Sequence, residues 1–131
     1  MAGNRDTHRV TCKCALFSPD QKQVLVVDYG KEGYGLPGGH IDAGESPDQA
    51  MARELFEELG LKNQTLNHAD FMMHQNGKII LGYVGILDTS TQLRPQIEEM
   101  QQAIWVDVDD VRSGKVSVPS YHRLICEYQP S

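Results

Sequence analysis

Three glutamates, Glu54, Glu57 and Glu58, are spaced three and four residues apart in a segment whose apolar pattern predicts a helix. Advancing about 100° per residue places them on one stripe, roughly opposite an apolar stripe of Ala52, Leu55, Phe56 and Leu59. Like charges at these spacings repel one another, and the C-terminal end of a helix also disfavours negative charge. Hard divalent cations prefer oxygen ligands, so the stripe predicts a Mg²⁺ or Mn²⁺ site. A solvated acidic helix face is the alternative that three glutamates alone leave open.

The residues at both ends of this segment set the limits of the helix. Ser46 is a suitable N-cap, Pro47 fits the first helical position, and Gln49 stands where the partner of a capping box belongs. Gly60 can adopt the left-handed conformation that ends a helix. The helix is therefore predicted to run between Ser46 and Gly60.

A turn with the sequence LPGG, residues 36–39, precedes the helix. Residues with a Cβ would obstruct such a turn, so its main-chain groups can approach a metal or a phosphate closely. From Gly39 to Leu61 the chain reproduces in full the pattern G-x5-E-x7-R-E-U-x-E-E-x-G-U, in which U is apolar. This stretch of 23 residues resembles the motif of the Nudix hydrolase family and departs from it at no position.

The resemblance implies a Mg²⁺-dependent hydrolase, with Mn²⁺ as the alternative cation, that cleaves a nucleoside diphosphate linked to another group. By position, Glu54, Glu57 and Glu58 match the metal-binding glutamates of the family, and the Gly38 carbonyl matches a frequent backbone metal ligand. Glu54 also matches the glutamate that can act as general base, and Arg53 matches the arginine that orients the carboxylates. The catalytic set implied by the resemblance is therefore Arg53, Glu54 and Glu57.

Further residues are expected around this set. Glu45 is expected to tie the loop to the helix. Because such enzymes often recruit an extra acid from a later loop, Glu98 and Glu99 are candidates for it, against the default that they are surface glutamates. Tyr34 and its neighbour Tyr29 suit stacking on a base, although loop tyrosines more often only pack. Substrate contacts are predicted at Gly38, Gly39, His40 and Tyr34.

The rest of the chain must supply the elements that hold this site. Strands are predicted at residues 9–17, 24–27, 66–75, 78–87 and 103–106, with a tight hairpin turn at Asn76-Gly77. In the first of them, apolar Val10, Cys12, Cys14 and Leu16 alternate with Arg9, Thr11 and Lys13, which predicts a strand buried on one face. Short helices are predicted at residues 107–114 and from Pro119 to about residue 128. This order indicates an α/β (α+β) chain, and the resemblance implies an α/β/α sandwich around a mixed sheet.

The composition limits the class of protein. At 131 residues the chain suits one domain, predicted to span residues 1–131. Its formal net charge of −6 argues against general binding to a nucleic-acid backbone. No apolar run is long enough to span a membrane, and the first ten residues contain no apolar signal-peptide core. The three cysteines lack zinc spacing, so we expect a reduced, cytoplasmic setting. The net charge and the lack of a long apolar run predict that the protein has no nucleic-acid or membrane partner.

The resemblance implies that the protein is a MutT-like nucleotide pyrophosphatase. Nucleoside triphosphates, including oxidised ones, are the first expectation, because the chain is small and carries no extra domain. An ADP-ribose or nucleotide-sugar pyrophosphatase is the alternative. A nucleotide-sensing domain without catalysis is a further alternative, disfavoured because every glutamate of the motif is present. The expected partner is a small-molecule nucleotide, and both a monomer and a homodimer remain open.

Overall fold

The structure is a computed structural model that describes residues 9–95 and 102–130. Most of its strands follow the apolar runs of the sequence, as the alternation predicts. The strands are β1 (Arg9–Phe17), β2 (Gln23–Asp28), β3 (Tyr34–Gly35), β4 (Gly38–His40), β5 (Leu66–Gln75), β6 (Lys78–Ile86) and β7 (Gln102–Asp107). The helices are α1 (Pro47–Leu59), α2 (Val108–Arg112) and α3 (His122–Glu127).

Strand β1 is at the centre of a mixed sheet. It runs parallel to β6 along its full length, from the pair Arg9–Lys78 to the pair Phe17–Ile86. Its other edge is antiparallel to β2 near Phe17 and to β4 from Thr11 to Lys13. Strands β5 and β7 extend the sheet by pairing antiparallel with β6 and β2. The predicted hairpin at Asn76-Gly77 is confirmed, because β5 and β6 pair across it.

Helices cover both faces of this sheet. Cys12, Cys14 and Leu16 pack in a cluster with the buried side of α1. Ala15 and Phe17, which point to the other face, pack in a second cluster with residues of α2 and α3. The predicted α/β/α sandwich is therefore confirmed. The prediction that β1 is buried on one face only is wrong, because the α2–α3 layer covers the face that the alternation assigned to solvent.

Helix α1 begins and ends where the sequence predicts. Ser46 and Gln49 form a capping box, and Gly60 takes a left-handed conformation with φ 72°. The predicted apolar face is only partly correct: Ala52 is exposed and Phe56 half-buried. The fully buried residues of the helix are Ala50, Met51, Leu55 and Leu59. This rotation brings Glu54 and Glu58 to the border between the helix and strand β4.

The last helix begins later than predicted. Pro119 lies inside a turn that is closed by the Tyr121 N–H donating to the Val118 carbonyl at 3.1 Å. The first helical bond follows, from the Ile125 N–H to the Tyr121 carbonyl at 3.0 Å. Helix α3 therefore starts at His122 rather than at Pro119. Within the residues that the structure describes, no helix combines the length and apolar character needed to cross a membrane.

Candidate active site

Arg53 links the loop after β4 to helix α1. Its Nε donates to Glu45 Oε2 at 2.8 Å and its Nη2 donates to Glu45 Oε1 at 3.0 Å. The Asp42 N–H donates to the same Glu45 oxygen at 2.9 Å. The hydrogen bond from Arg53 lowers the pKa of the Glu45 carboxyl, which keeps the pair charged. This bidentate geometry fixes both groups, as the predicted role of Glu45 requires.

The same guanidinium orients two of the three glutamates. Its Nη1 donates to Glu54 Oε1 at 3.0 Å and to Glu57 Oε2 at 3.3 Å. Its Nη2 also donates to the His40 carbonyl at 3.0 Å. One arginine therefore contacts the loop, the strand β4 and the carboxylates of the helix. This arrangement agrees with the orienting role that the sequence motif implies for Arg53.

The glycines of β4 allow the strand to approach α1 closely. The Gly38 N–H donates to Glu58 Oε2 at 3.2 Å. A Cβ at Gly38, which has φ 142°, would collide with the Cys12 carbonyl oxygen. A Cβ at Gly39 would lie 2.5 Å from Glu54 Oε1. The Gly-Gly sequence is therefore needed for backbone groups and carboxylates to meet here.

The carboxylates of Glu54 and Glu58 share a partly buried position. Burial, aided by the hydrogen bond between the two carboxyl groups, raises the pKa of Glu58 to about 8. Lys13 and the Gly38 N–H oppose this rise by stabilising the charged form. Two neighbouring carboxyl groups repel one another when both are ionised. A divalent cation between them would offset this repulsion, so the pair is a suitable cation site.

The donor set fits Mg²⁺ or Mn²⁺ chemically, because it consists of carboxylates and the Gly38 carbonyl. In residues 9–95 and 102–130, however, no three acidic, histidine or cysteine side chains are already arranged to hold a metal ion. The arginine contacts give one reason: Glu54 and Glu57 are both turned toward Arg53. Metal binding would therefore require these carboxylates to reorient.

Lys13 is a residue of this site that the sequence analysis did not assign. Its Nζ donates to the Leu36 carbonyl at 3.2 Å and to the Gly38 carbonyl at 3.4 Å. It lies 5.6 Å from the ring centroid of Tyr29 and 5.9 Å from that of Tyr121. Burial lowers the pKa of the Lys13 ammonium, while the charges of Glu58 and Glu54 oppose that shift.

A cleft of about 400 Å³ adjoins the glycines of β4, and we call it the tyrosine cleft. Its aromatic walls are Tyr29, Tyr34 and Tyr121, and Thr11, Lys13, Gly39, His40 and Lys78 also line it. Thr11 is buried, and its Oγ1 has no hydrogen-bond partner within the described part of the chain. A buried hydroxyl without a partner is costly, so a hydrogen bond from a bound ligand or a water would stabilise this group.

A larger cavity of about 490 Å³ lies on another side of α1. Ala52, Phe56, Leu61 and Tyr83 are among its lining residues, and Arg53 of the motif also lines it. Neither this cavity nor the tyrosine cleft is lined by the three glutamates. The tyrosine cleft is lined by Gly39, whose backbone lies against Glu54, and by Lys13, and this position rather than volume makes it the candidate substrate site.

The structure brings most of the predicted site residues together. Arg53, Glu54, Glu57, Glu58, Gly38 and Gly39 form one hydrogen-bonded or closely packed group. Tyr34 and His40 line the adjoining cleft. Glu98 and Glu99 lie outside the described residues. The described chain nearest to them contacts the end of α1, where the Arg94 N–H donates to the Leu59 carbonyl at 2.8 Å.

Comparison with protein families identifies the chain. The model of the NUDIX domain matches residues 7–125. The chain therefore belongs to the Nudix family of hydrolases, as the sequence motif indicates, and the mixed sheet flanked by helices is the fold of that family.

Two curated relatives differ in how much of their length they share with this chain. The 8-oxo-dGTP diphosphatase of Haemophilus influenzae is 30% identical over 95 residues, which are 70% of this chain and 70% of that protein. The RNA pyrophosphohydrolase of Aeromonas hydrophila is 56% identical over 57 residues, 44% of this chain. The match spans only 33% of the length of that second protein.

The fold also resembles solved structures. The NUDIX domain of Shewanella oneidensis NrtR, determined with ADP ribose, superposes with a TM-score of 0.75 at 21% sequence identity. That likeness covers 97% of this chain and 89% of the other. At this identity the comparison shows a common fold.

Proposed function

We propose that this protein is a Mg²⁺-dependent pyrophosphohydrolase that cleaves a nucleoside diphosphate linked to another group. The observation that carries the proposal is the meeting of Glu54 and Glu58 with the Gly38–Gly39 backbone beside the tyrosine cleft. The carboxylates supply the chemistry of a phosphoric anhydride hydrolase, and the cleft supplies a place for the attached nucleoside.

The residues divide between binding the metal and activating water. Glu54, Glu57, Glu58 and the Gly38 carbonyl would hold the cation. Bound Mg²⁺ would neutralise the charge of the diphosphate and lower the pKa of a bound water. Glu54 would accept the proton of the attacking water, and Arg53 would keep the Glu54 and Glu57 carboxylates oriented. The proposed extra acid, Glu98 or Glu99, stays a prediction.

The tyrosine cleft favours a nucleoside as the attached group. Its three aromatic rings offer stacking surfaces for a base. The Thr11 hydroxyl, which has no partner among residues 9–95 and 102–130, would gain one from a polar edge of the base. Nucleoside triphosphates, including oxidised ones, are the first candidates, supported by the relative from Haemophilus influenzae that matches over most of both chains. The net charge of −6 disfavours long RNA substrates, although RNA pyrophosphohydrolases are among the relatives.

ADP-ribose and nucleotide sugars remain the alternative substrates. The same cleft would accept the adenosine of ADP-ribose, and a domain of this fold has been determined with that ligand. A sensing function without catalysis is disfavoured, because the metal-binding pattern is complete. Both alternatives place the ligand in the tyrosine cleft, so binding alone cannot distinguish them. An ADP-ribose or nucleotide-sugar pyrophosphatase would release products, whereas a sensor would bind its ligand unchanged.

The deciding experiment measures phosphate and nucleotide release with Mg²⁺ from a panel of nucleoside triphosphates, oxidised nucleotides, ADP-ribose and dinucleoside polyphosphates. We expect turnover of at least one member and a loss of at least about 100-fold in kcat for Glu57→Gln. The exposed Glu127 on α3 provides a matched control, and Glu127→Gln should retain the wild-type rate. Normal activity of Glu57→Gln would contradict the metal assignment, and tight nucleotide binding without release would favour the sensor.

A further inference from the structure

Lys13 places a cationic group against the backbone that is expected to bind the metal. Its Nζ contacts the carbonyl oxygens of Leu36 and Gly38 at 3.2 and 3.4 Å. The N–H of the same Gly38 donates to Glu58, so the two sides of one glycine connect the lysine to a carboxylate of the site. A divalent cation bound by the Gly38 carbonyl would therefore meet the ammonium group at short range.

The fold holds Lys13 in this position. The residue lies on the central strand β1, next to Cys12, whose Cα pairs with Gly39 across to β4. The rings of Tyr29 and Tyr121 flank its ammonium group. The Tyr29 hydroxyl donates to the same Leu36 carbonyl at 3.2 Å, which anchors one of these rings to the turn. The lysine is thus part of a built arrangement and not a solvated surface cation.

We propose that Lys13 is an internal counter-ion of the metal site, which stabilises the glutamates and weakens the binding of the divalent cation by competing for the Gly38 carbonyl. The Lys13 ammonium and a divalent cation bound to the same carbonyl would repel one another. Even at an effective dielectric constant of about 20, this repulsion is strong enough to weaken the affinity for the divalent cation by about tenfold or more. Lys13 therefore sets the cation concentration at which the site fills. This inference rests on the proposed function, because it requires the glutamates to bind a metal.

The test is calorimetric titration of the full chain with Mn²⁺ alone. Lys13→Met and Lys13→Gln remove the charge, Lys13→Arg keeps it, and Lys78→Met removes another lysine of the same cleft. We expect the two neutral variants at position 13 to bind Mn²⁺ at least about tenfold more tightly than wild type. The arginine variant and Lys78→Met should stay within about threefold of wild type, because neither removes the charge beside Gly38.

Thermal melting provides a second measurement. Without added metal, Lys13→Met should melt below wild type, because the glutamates lose their counter-ion. Saturating Mn²⁺ should narrow that difference, since the metal replaces the missing charge. A role limited to packing would leave the difference unchanged. If Lys13→Met does not fold, Lys13→Gln retains a hydrogen-bond donor for the two carbonyls and serves in its place.

The outcomes separate this inference from the proposed function. Wild-type binding of Mn²⁺ that is weakened by Glu57→Gln supports the metal site. If the neutral Lys13 variants then bind Mn²⁺ no more tightly than wild type, the counter-ion role is wrong and the proposed function stands. If none of the folded proteins binds Mn²⁺, both the metal assignment and the counter-ion role are wrong.

Discussion

Gly38 and Gly39 are neighbours in β4, but their missing side chains serve different purposes. At Gly38 both the backbone conformation and the contact with the Cys12 carbonyl exclude a Cβ. At Gly39 the backbone is compatible with other residues, and the nearest obstacle is the carboxylate of Glu54. A carboxylate at the end of a flexible side chain can move, whereas a carbonyl of the central strand cannot. Gly38 is therefore a requirement of the fold, and Gly39 is a requirement of the site.

Gly39→Ala is the substitution that tests this distinction. The new methyl group would lie 2.5 Å from Glu54 Oε1, so the carboxylate has to move. We expect kcat to fall by at least about tenfold, because displaced catalytic groups lose their productive geometry. The free energy of unfolding should change by less than about 1 kcal/mol.

Gly38→Ala is the matched comparison. Its Cβ meets backbone atoms of Cys12 and Lys13, and its φ of 142° is unfavourable for alanine. We expect a loss of about 3 kcal/mol or more in the free energy of unfolding, measured by denaturant titration. If Gly39→Ala retained full activity, close approach of β4 to Glu54 would not be needed for turnover.

The residues of the motif could be predicted from the sequence because their identities and spacing are fixed together. Lys13 and Thr11 could not, because strand alternation assigned both to a solvent-exposed face. That face is covered by the α2–α3 layer, which is distant in sequence. A lysine in a strand that is buried on both faces is unusual and indicates a functional site. The burial of the second face of β1 is known only from the structure, because the sequence does not show which helices cover it.

Among the elements, the two ends of α1 were predicted correctly because they are determined locally. Ser46, Gln49 and Gly60 make their capping contacts within a few residues of the helix ends. Strand β4, in contrast, has only three residues and is defined by its pairing with β1, which periodicity cannot indicate. The contacts that attach the first turn of α1 to the sheet are also nonlocal. Asp48 Oδ1 accepts from the Tyr83 hydroxyl at 2.6 Å and lies 2.8 Å from His68 Nε2.

The link between Asp48 and Tyr83 predicts a pH-dependent contribution to stability. The Tyr83 hydroxyl, followed by His68, lowers the pKa of the Asp48 carboxyl in the folded protein. A lowered pKa stabilises the fold above the unfolded value of about 3.9, and this contribution is lost as the pH falls through the folded value. Asp48→Asn should therefore lower the denaturant midpoint at pH 6, and the difference from wild type should shrink as the pH is lowered below about 4.

Two variants serve as controls for this link. Tyr83→Phe removes the hydroxyl that lowers the pKa most, so the stability difference between wild type and this variant should also decrease at low pH. Asp70→Asn changes an exposed aspartate of β5 and should alter stability by less than about 0.5 kcal/mol. A penalty for Asp48→Asn that stayed constant from pH 3 to pH 6 would show that the carboxylate charge contributes nothing there.

At the scale of the whole molecule, the candidate site draws on both helical layers and on the central strands of the sheet. Helix α1 supplies the glutamates, and Tyr121, directly before α3, supplies one wall of the cleft. The sequence predicted the longer strands but not the parallel pairing of β1 with β6, which joins segments about 70 residues apart. The cleft depends on that pairing, because Ile80 of β6 lines it beside Thr11 of β1.

Because α1 carries the glutamates and the layer with α3 carries one wall of the cleft, the same core substitution in each layer should have different kinetic effects. Leu124 and Leu55 are both buried, one in α3 and one in α1, and replacement of either by alanine should cost about 3 kcal/mol of stability. At a temperature where both variants remain folded, Leu124→Ala should raise KM with kcat within about twofold, because the cleft wall shifts and the glutamates do not. Leu55→Ala should mainly lower kcat, because Glu54 is next to Leu55 in α1 and would shift into the space that the lost side chain leaves. Steady-state kinetics on the substrate found in the panel distinguishes them, and identical profiles would mean that the two layers do not act separately on the site.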